Sequence, residues 1–315
     1  MDRELSDDYL RYKNLLITTS ISLLYLLLSY ILIGFKKEQL VLVLLFNALF
    51  YISPGTRKFI IGFSVFIVFW ILFDYMKAFP NYTFNTVHIE SIYQAEKNLF
   101  GLVQNDHTVL TPNEFWLQHQ HTFLDIMAGL FYLCWMPVPL LFGVYLFYKN
   151  KEAFAWFSLT FLLVNLVGFV VYYTYPAAPP WYVQQYGFTF HANTPGNTAG
   201  LARFDAFFHT GIFAGLYTKS SNVFAAMPSL HSAYPMVVLF YGLKYKVGVL
   251  KNILFGMVTV GIWFAAVYSS HHYVLDVLAG MGCAVTGIFL FSWLAQYNKV
   301  VKRFIAAFVE RITVG

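Results

Sequence analysis

Residues 274–293, VLDVLAGMGCAVTGIFLFSW, decide the fold class. About 20 residues carrying a single ionisable side chain, Asp276, match the length of helix that crosses the hydrocarbon layer of a bilayer. Seven more runs share this character, at 15–35, 40–52, 59–79, 123–148, 154–173, 227–243 and 250–268. Composition agrees: 59% of the chain is hydrophobic, 11% is charged and the mean hydropathy is +0.60. A water-facing surface needs about 25% charge, and a chain that is 20% aromatic cannot stay disordered. The sequence therefore predicts an all-α polytopic membrane protein of about eight transmembrane helices.

The run at 40–52 is short and is closed by Pro54 and Gly55, so seven spans is the competing count. Basic residues favour eight. With the amino terminus inside, fourteen of the 20 Lys and Arg fall in cytoplasmic segments, and Lys36, Lys37, Lys77, Lys97, Arg203 and Lys219 fall outside. The first run is read as a retained helix, because its apolar stretch is too long for a signal peptide and Asp2, Glu4, Asp7 and Asp8 precede it. A net charge of +5, scattered along the chain, gives no nucleic-acid-binding face. Cys134 and Cys283 lie within apolar runs and read as packing residues, with neither a disulfide nor a thiolate metal site.

This division predicts two accessory spans over 1–58, a six-helix core over 59–298 that includes external loops 80–122 and 175–226, and a basic cytoplasmic tail over 299–315. Trp116, Trp181, Tyr182, Phe204, Phe207 and Phe208 suggest that the two loops lie on the membrane interface. Asn81-Tyr82-Thr83 is a glycosylation sequon on the outer side, with meaning only in a host that glycosylates.

All nine histidines fall in or beside external loops. His88, His107, His119, His121, His191 and His209 read as solvent or interfacial residues. His231, His271 and His272 stand at the mouths of spans, where an ionisable side chain needs a partner or a task. In Ser270-His-His-Tyr-Val-Leu-Asp276, a helix beginning at the histidines would put His272 and Asp276 on one face. The carboxylate would then fix the imidazole tautomer and leave the other ring nitrogen as a nucleophile or base. The plain alternative is a pair that caps a helix. His271 points elsewhere, toward water or a headgroup. In Ala226-Met-Pro-Ser-Leu-His-Ser232, Pro228 suits a first helical turn, whose free amides form an anion site, with Ser229 and Ser232 adding hydroxyls and His231 an acid. The alternative there is an N-cap with an incidental histidine. Together the two segments describe phosphoryl transfer through a phosphohistidine, one imidazole attacking phosphorus and the other protonating the departing oxygen.

Pro228-Ser-Leu-His-Ser232 followed about forty residues later by His272-x-x-x-Asp276 resembles the second and third motifs of the type 2 phosphatidic acid phosphatase superfamily. With Tyr175-Pro-Ala-Ala-Pro-Pro-Trp-Tyr182 and Thr198-Ala-Gly-Leu-Ala-Arg-Phe-Asp205, the chain looks like the branch of inositol phosphorylceramide synthases, the targets of aureobasidin A. The similarity covers about 154–293. It implies a six-helix phosphatase-type core, with His231 as acid and base, His272 as nucleophile and Asp276 as its orienter. It also implies no cofactor and no metal, a phospholipid donor such as phosphatidylinositol, and a ceramide-like lipid alcohol as acceptor. An accessory subunit stays open. Ala266 stands where the wider superfamily has an arginine, and the first-motif cations have no counterpart. This leaves Arg203, with Asp205 two residues on to steady it or to serve as a solvated or capping residue, and Ser229, Ser232, His271 and Trp181 as the residues expected to bind substrate.

A channel or transporter would fit eight spans, but no inverted repeat of broken helices is visible. A di-iron hydroxylase would need several paired-histidine boxes, and only His119-Gln120-His121 and the adjacent His271 and His272 are present. The nearer rival is a lipid phosphatase of the same superfamily, with water as acceptor. The reaction is expected on the periplasmic or lumenal face.

Overall fold

The computed structural model describes residues 2–218 and 222–313, with side chains from Arg11 onward. Lys219, counted above among the external bases, lies outside them. Every apolar run of the sequence is helical. The chain forms two compact units, residues 1–79 with 310–315, and residues 80–309.

The first unit holds α1 (Asp2–Ile33), α2 (Lys37–Ile52) and α3 (Pro54–Tyr75). Ser53 ends α2 and caps α3 in a reciprocal box with Thr56, and Pro54 occupies the first turn, where it needs no donor. Polar side chains in these helices pair across them: Thr18 with Tyr51 (2.7 Å), Ser29 with Tyr75 (2.8 Å) and Asn47 with Ser22 (2.9 Å). In hydrocarbon such groups need partners. Helix α3 packs against α2 within this unit.

The second unit begins with α4 (Glu90–Phe100), the hairpin strands β1 (Leu102–Val103) and β2 (Val109–Leu110), and α5 (Pro112–Gln118). Helices α6 (Thr122–Leu133) and α7 (Pro137–Lys149) meet at a 41° bend, where Pro137 and Pro139 interrupt the hydrogen-bond ladder. Then follow α8 (Lys151–Thr174), the short α9 (Pro180–Tyr186), α10 (Ala202–Phe208) and α11 (Ile212–Tyr217), and α12 (Leu230–Lys244), α13 (Val249–Tyr268), α14 (Val274–Tyr297) and α15 (Lys299–Thr313). Helix α8 packs on α7, α12 and α14, with Phe154, Phe157, Phe161 and Val164 fully buried. The expected tail is therefore a helix.

Among the described residues, five helices are long and apolar enough to cross a membrane, and six if the bent α6–α7 pair is one span. Helices α2 and α12, with 16 and 15 residues, are shorter. The segments 80–122 and 175–226 are built rather than structureless: each carries short helices, and Asn81 ties them to each other and to α8 by donating to the carbonyls of Phe224 (2.9 Å) and Tyr172 (2.8 Å). Asn81 of the Asn81-Tyr82-Thr83 sequon is fully buried.

Candidate active site

Helix α12 starts at Leu230, with Ser229 as its N-cap and Pro228 before it, later than Pro228 suggests from sequence. The Ser229 hydroxyl accepts from Ser232 N (3.3 Å) and from the Ser232 hydroxyl (3.0 Å). Ser229 N donates to the Asp276 carbonyl at 2.9 Å. This contact needs close approach of α12 to α14, and Gly280 permits it: a Cβ there would run into the Ser229 carbonyl.

At the other end of the contact, α13 closes in a tight turn. Ser270 takes the left-handed conformation (φ 60°), so that His271 N and His272 N both reach the Ala266 carbonyl, at 3.1 and 3.0 Å. Helix α9 braces this turn through Trp181 N to the Ser270 carbonyl (3.0 Å) and Gln184 to the Ser270 hydroxyl (3.1 Å).

Here His231 and His272 meet, with Nδ1 of the first 3.2 Å from Nε2 of the second. The Tyr132 hydroxyl on α6 also lies 3.2 Å from His231 Nδ1, and Trp135 stands edge-on to the ring at 4.7 Å. Behind His272, Asp276 Oδ2 is 3.6 Å from Nδ1, longer than a hydrogen bond. The helix begins at Val274, so the two are not partners within one helix as the spacing suggests. Asp276 instead turns back to accept Tyr273 N at 2.8 Å. Asp276 Oδ1 and His272 Nδ1 are both buried without a partner, the kind of gap that closes when a charged ring forms. Burial pushes the His272 imidazole down to about 4, opposed by the Ala226 carbonyl, which favours its charged form.

His271 does not face water. Its ring lies against Tyr217 (4.4 Å) and Tyr132 (5.5 Å), Nε2 is 2.9 Å from the Thr198 carbonyl, and burial with the neighbouring His272 holds it down to about 3. Trp181 is also no open surface, being buried with Ile89, Ala178, Tyr182 and Phe224. Both corrections share a cause: the 175–226 segment folds over the helix ends, takes Trp181, Tyr182 and Phe224 inward and lays Tyr217 on His271. Arg203 Nε pairs with Asp125 (2.5 Å), its guanidinium lies 5.3 Å from the Tyr268 ring centre, and Nη2 is buried without a partner. Asp205 does not steady it. Its oxygens cap α11 at Phe213 N (3.2 Å) and Ala214 N (2.9 Å).

The expected amide cradle at the head of α12 is mostly filled. Ser229 N and Ser232 N are bonded as above and Leu230 N meets the Tyr172 hydroxyl, which leaves His231 N as the first-turn amide without a partner among the described residues. Four further residues meet this site without a motif to announce them: Tyr132 and Trp135 lie in an apolar run where aromatics read as packing, and Glu96 and Asn113 come from the 80–122 segment. Among the described residues no three His, Cys, Asp or Glu side chains are grouped to hold a metal ion.

A family model described as the PAP2 superfamily matches residues 101–290. The phosphoinositol dihydroceramide synthase of Bacteroides thetaiotaomicron is 44% identical over 282 residues, 89% of this chain and 92% of that protein. The inositol phosphorylceramide synthase catalytic subunits of Schizosaccharomyces pombe and Saccharomyces cerevisiae are 28% and 29% identical, over 74% and 75% of this chain and 53% and 59% of theirs. No solved structure matches. With the paired histidines at the heads of α12 and α14 and a family match across more than half its length, the chain belongs to the PAP2 superfamily.

Proposed function

We propose that this protein is a membrane-embedded lipid phosphotransferase that moves phosphoinositol from phosphatidylinositol to a dihydroceramide-like lipid alcohol. The observation that carries the reading is the 3.2 Å approach of His231 Nδ1 to His272 Nε2 in a chain whose nearly full-length relative is a phosphoinositol dihydroceramide synthase. His272 Nε2 attacks phosphorus, the bond to the diacylglycerol oxygen breaks, and His231 gives that oxygen its proton. His231 then takes the proton of the acceptor hydroxyl as its oxygen attacks the phosphohistidine, and the nitrogen–phosphorus bond breaks. Asp276 stabilises the ring as it gains positive charge.

Arg203 is the proposed phosphate ligand, held on Asp125 with Nη2 left over, together with His231 N and the Ser229 and Ser232 hydroxyls. The catalytic core is taken as 59–298, facing the periplasm or lumen in keeping with the basic-residue bias. Purified protein given labelled phosphatidylinositol and dihydroceramide should form inositol phosphoryl-dihydroceramide. Release of inositol phosphate alone, with dihydroceramide unused, would make it a phosphatase.

A further inference from the structure

The proposed nucleophile stands on a turn, and turns hold a reacting group less firmly than helices do. His272 N is satisfied by Ala266, but four backbone groups around it find partners in the 80–122 segment. Asn113 Nδ2 donates to the carbonyls of Val267 (2.8 Å) and His272 (3.0 Å). Glu96 Oε1 accepts Val274 N (2.9 Å) and Oε2 accepts Leu275 N (3.0 Å). Both side chains are fully buried.

The segment that carries them is itself braced. Thr111 and Glu114 cap α5 reciprocally, and Glu114 Oε1 accepts the Tyr93 hydroxyl of α4 at 2.9 Å. Glu96 extends the buried face that Ile89 and Ile92 begin, at a position where packing alone would ask for an apolar residue. A carboxylate is costly there unless its bonds serve a purpose. With Glu96 and Asp276 occupying the amides of Tyr273, Val274 and Leu275, the amino end of α14 is also closed to a phosphate, which directs the substrate anion toward α12 and Arg203.

We infer that Glu96 and Asn113 are positioning residues for the transfer reaction, clamping the backbone on either side of His272 so that its ring stays aimed at the phosphorus. This rests on the reading of His272 as nucleophile. A displacement of about 1 Å at a reacting atom costs on the order of 100-fold in rate.

The test uses the full-length protein in detergent with two shape-conserving variants, Glu96→Gln and Asn113→Leu, assayed for kcat, KM, melting temperature and hydrogen exchange of the 266–276 backbone. Expected for both is a fall in kcat of about 10-fold or more, with KM for phosphatidylinositol near that of the parent and, at pH 8, a melting temperature near it as well. Exchange at Val274 and Leu275 should quicken in Glu96→Gln. A kcat within about twofold of the parent, under one kcal/mol of barrier, would overturn the inference, as would a kcat loss matched by equal losses in KM and melting temperature. If Glu96→Gln does not fold, Asn113→Leu decides by the same criteria. A parent without transferase activity would sink the functional reading instead; exchange then decides the clamp, and unchanged exchange at 274–275 in Glu96→Gln would refute it.

Discussion

Asp276 Oδ2 stands 3.6 Å from His272 Nδ1 while accepting Tyr273 N at 2.8 Å, so one carboxylate both caps α14 and waits behind the proposed nucleophile. A ring that gains charge on attacking phosphorus would draw the carboxylate into a full hydrogen bond.

Asp276→Asn keeps an oxygen for the cap but removes the charge that meets the imidazolium. The expected loss is ~10² to 10⁴ in kcat with the fold retained, as for the orienting aspartate of a catalytic triad. Steady-state rates and melting curves on one preparation check this, and a loss below about threefold would confine Asp276 to capping.

Arg203 is expected to tolerate neither Lys nor Ala. Lysine keeps the charge but lacks the planar fork that holds Asp125 through Nε while aiming Nη2 in a fixed direction, so Arg203→Lys should cost about 10-fold or more and Arg203→Ala more still. Asp125→Asn should cost less, and a double-mutant cycle should show the two coupled. If Arg203→Ala stays within about threefold of the parent, less than one kcal/mol of barrier, the guanidinium only braces Asp125 and Tyr268.

The site's pH dependence has a sign. Burial raises Glu96 to about 7, with the Asp276 charge adding to it and the amides of Leu275 and Val274 opposing. Between its ordinary value and 7 the folded protein binds the proton that the unfolded chain releases, so the stability Glu96 contributes is full at low pH and is lost as pH rises through 7. The parent should therefore outlast Glu96→Gln by a wider margin in melting temperature at pH 5 than at pH 8. A margin that is flat or widens toward pH 8 would contradict this.

Much of this was legible in the sequence because hydrocarbon is a strict solvent. Apolar runs had to be helices, and Asp276 at the mouth of one had to have a task. The paired motifs located His231 and His272 forty residues apart, and the structure brings their rings to 3.2 Å. Less could be read where backbone groups choose their partners. No pattern says that Leu230 N goes to Tyr172, that Asp276 curls back onto Tyr273, or that Asn81 is buried. Glu96 and Asn113 were hidden in a polar segment, where a buried carboxylate looks like any solvated one. His271 and Trp181 were misplaced for the converse reason: aromatic and imidazole side chains in an outer loop read as exposed, yet this loop folds inward on its own aromatics.

Topology is open to direct labelling. The 193–200 stretch lies in the segment assigned outside, and Asn193 and Thr194 are exposed or half-buried there. A cysteine at Asn193 should react with a membrane-impermeant maleimide added to the outer face of intact cells. Reaction only after the cytoplasmic face is opened would invert the proposed orientation.

The account turns on a covalent bond between His272 and the phosphoinositol group. Protein mixed with phosphatidylinositol labelled in its headgroup phosphate, without acceptor, should be quenched in alkali, digested and mapped by mass spectrometry. The expected result is a label on the peptide bearing His272, stable to alkali and lost in acid, discharged by dihydroceramide and absent from His272→Ala. Label on another residue, or transfer by His272→Ala at a rate within tenfold of the parent, about 1.4 kcal/mol of barrier, would contradict it.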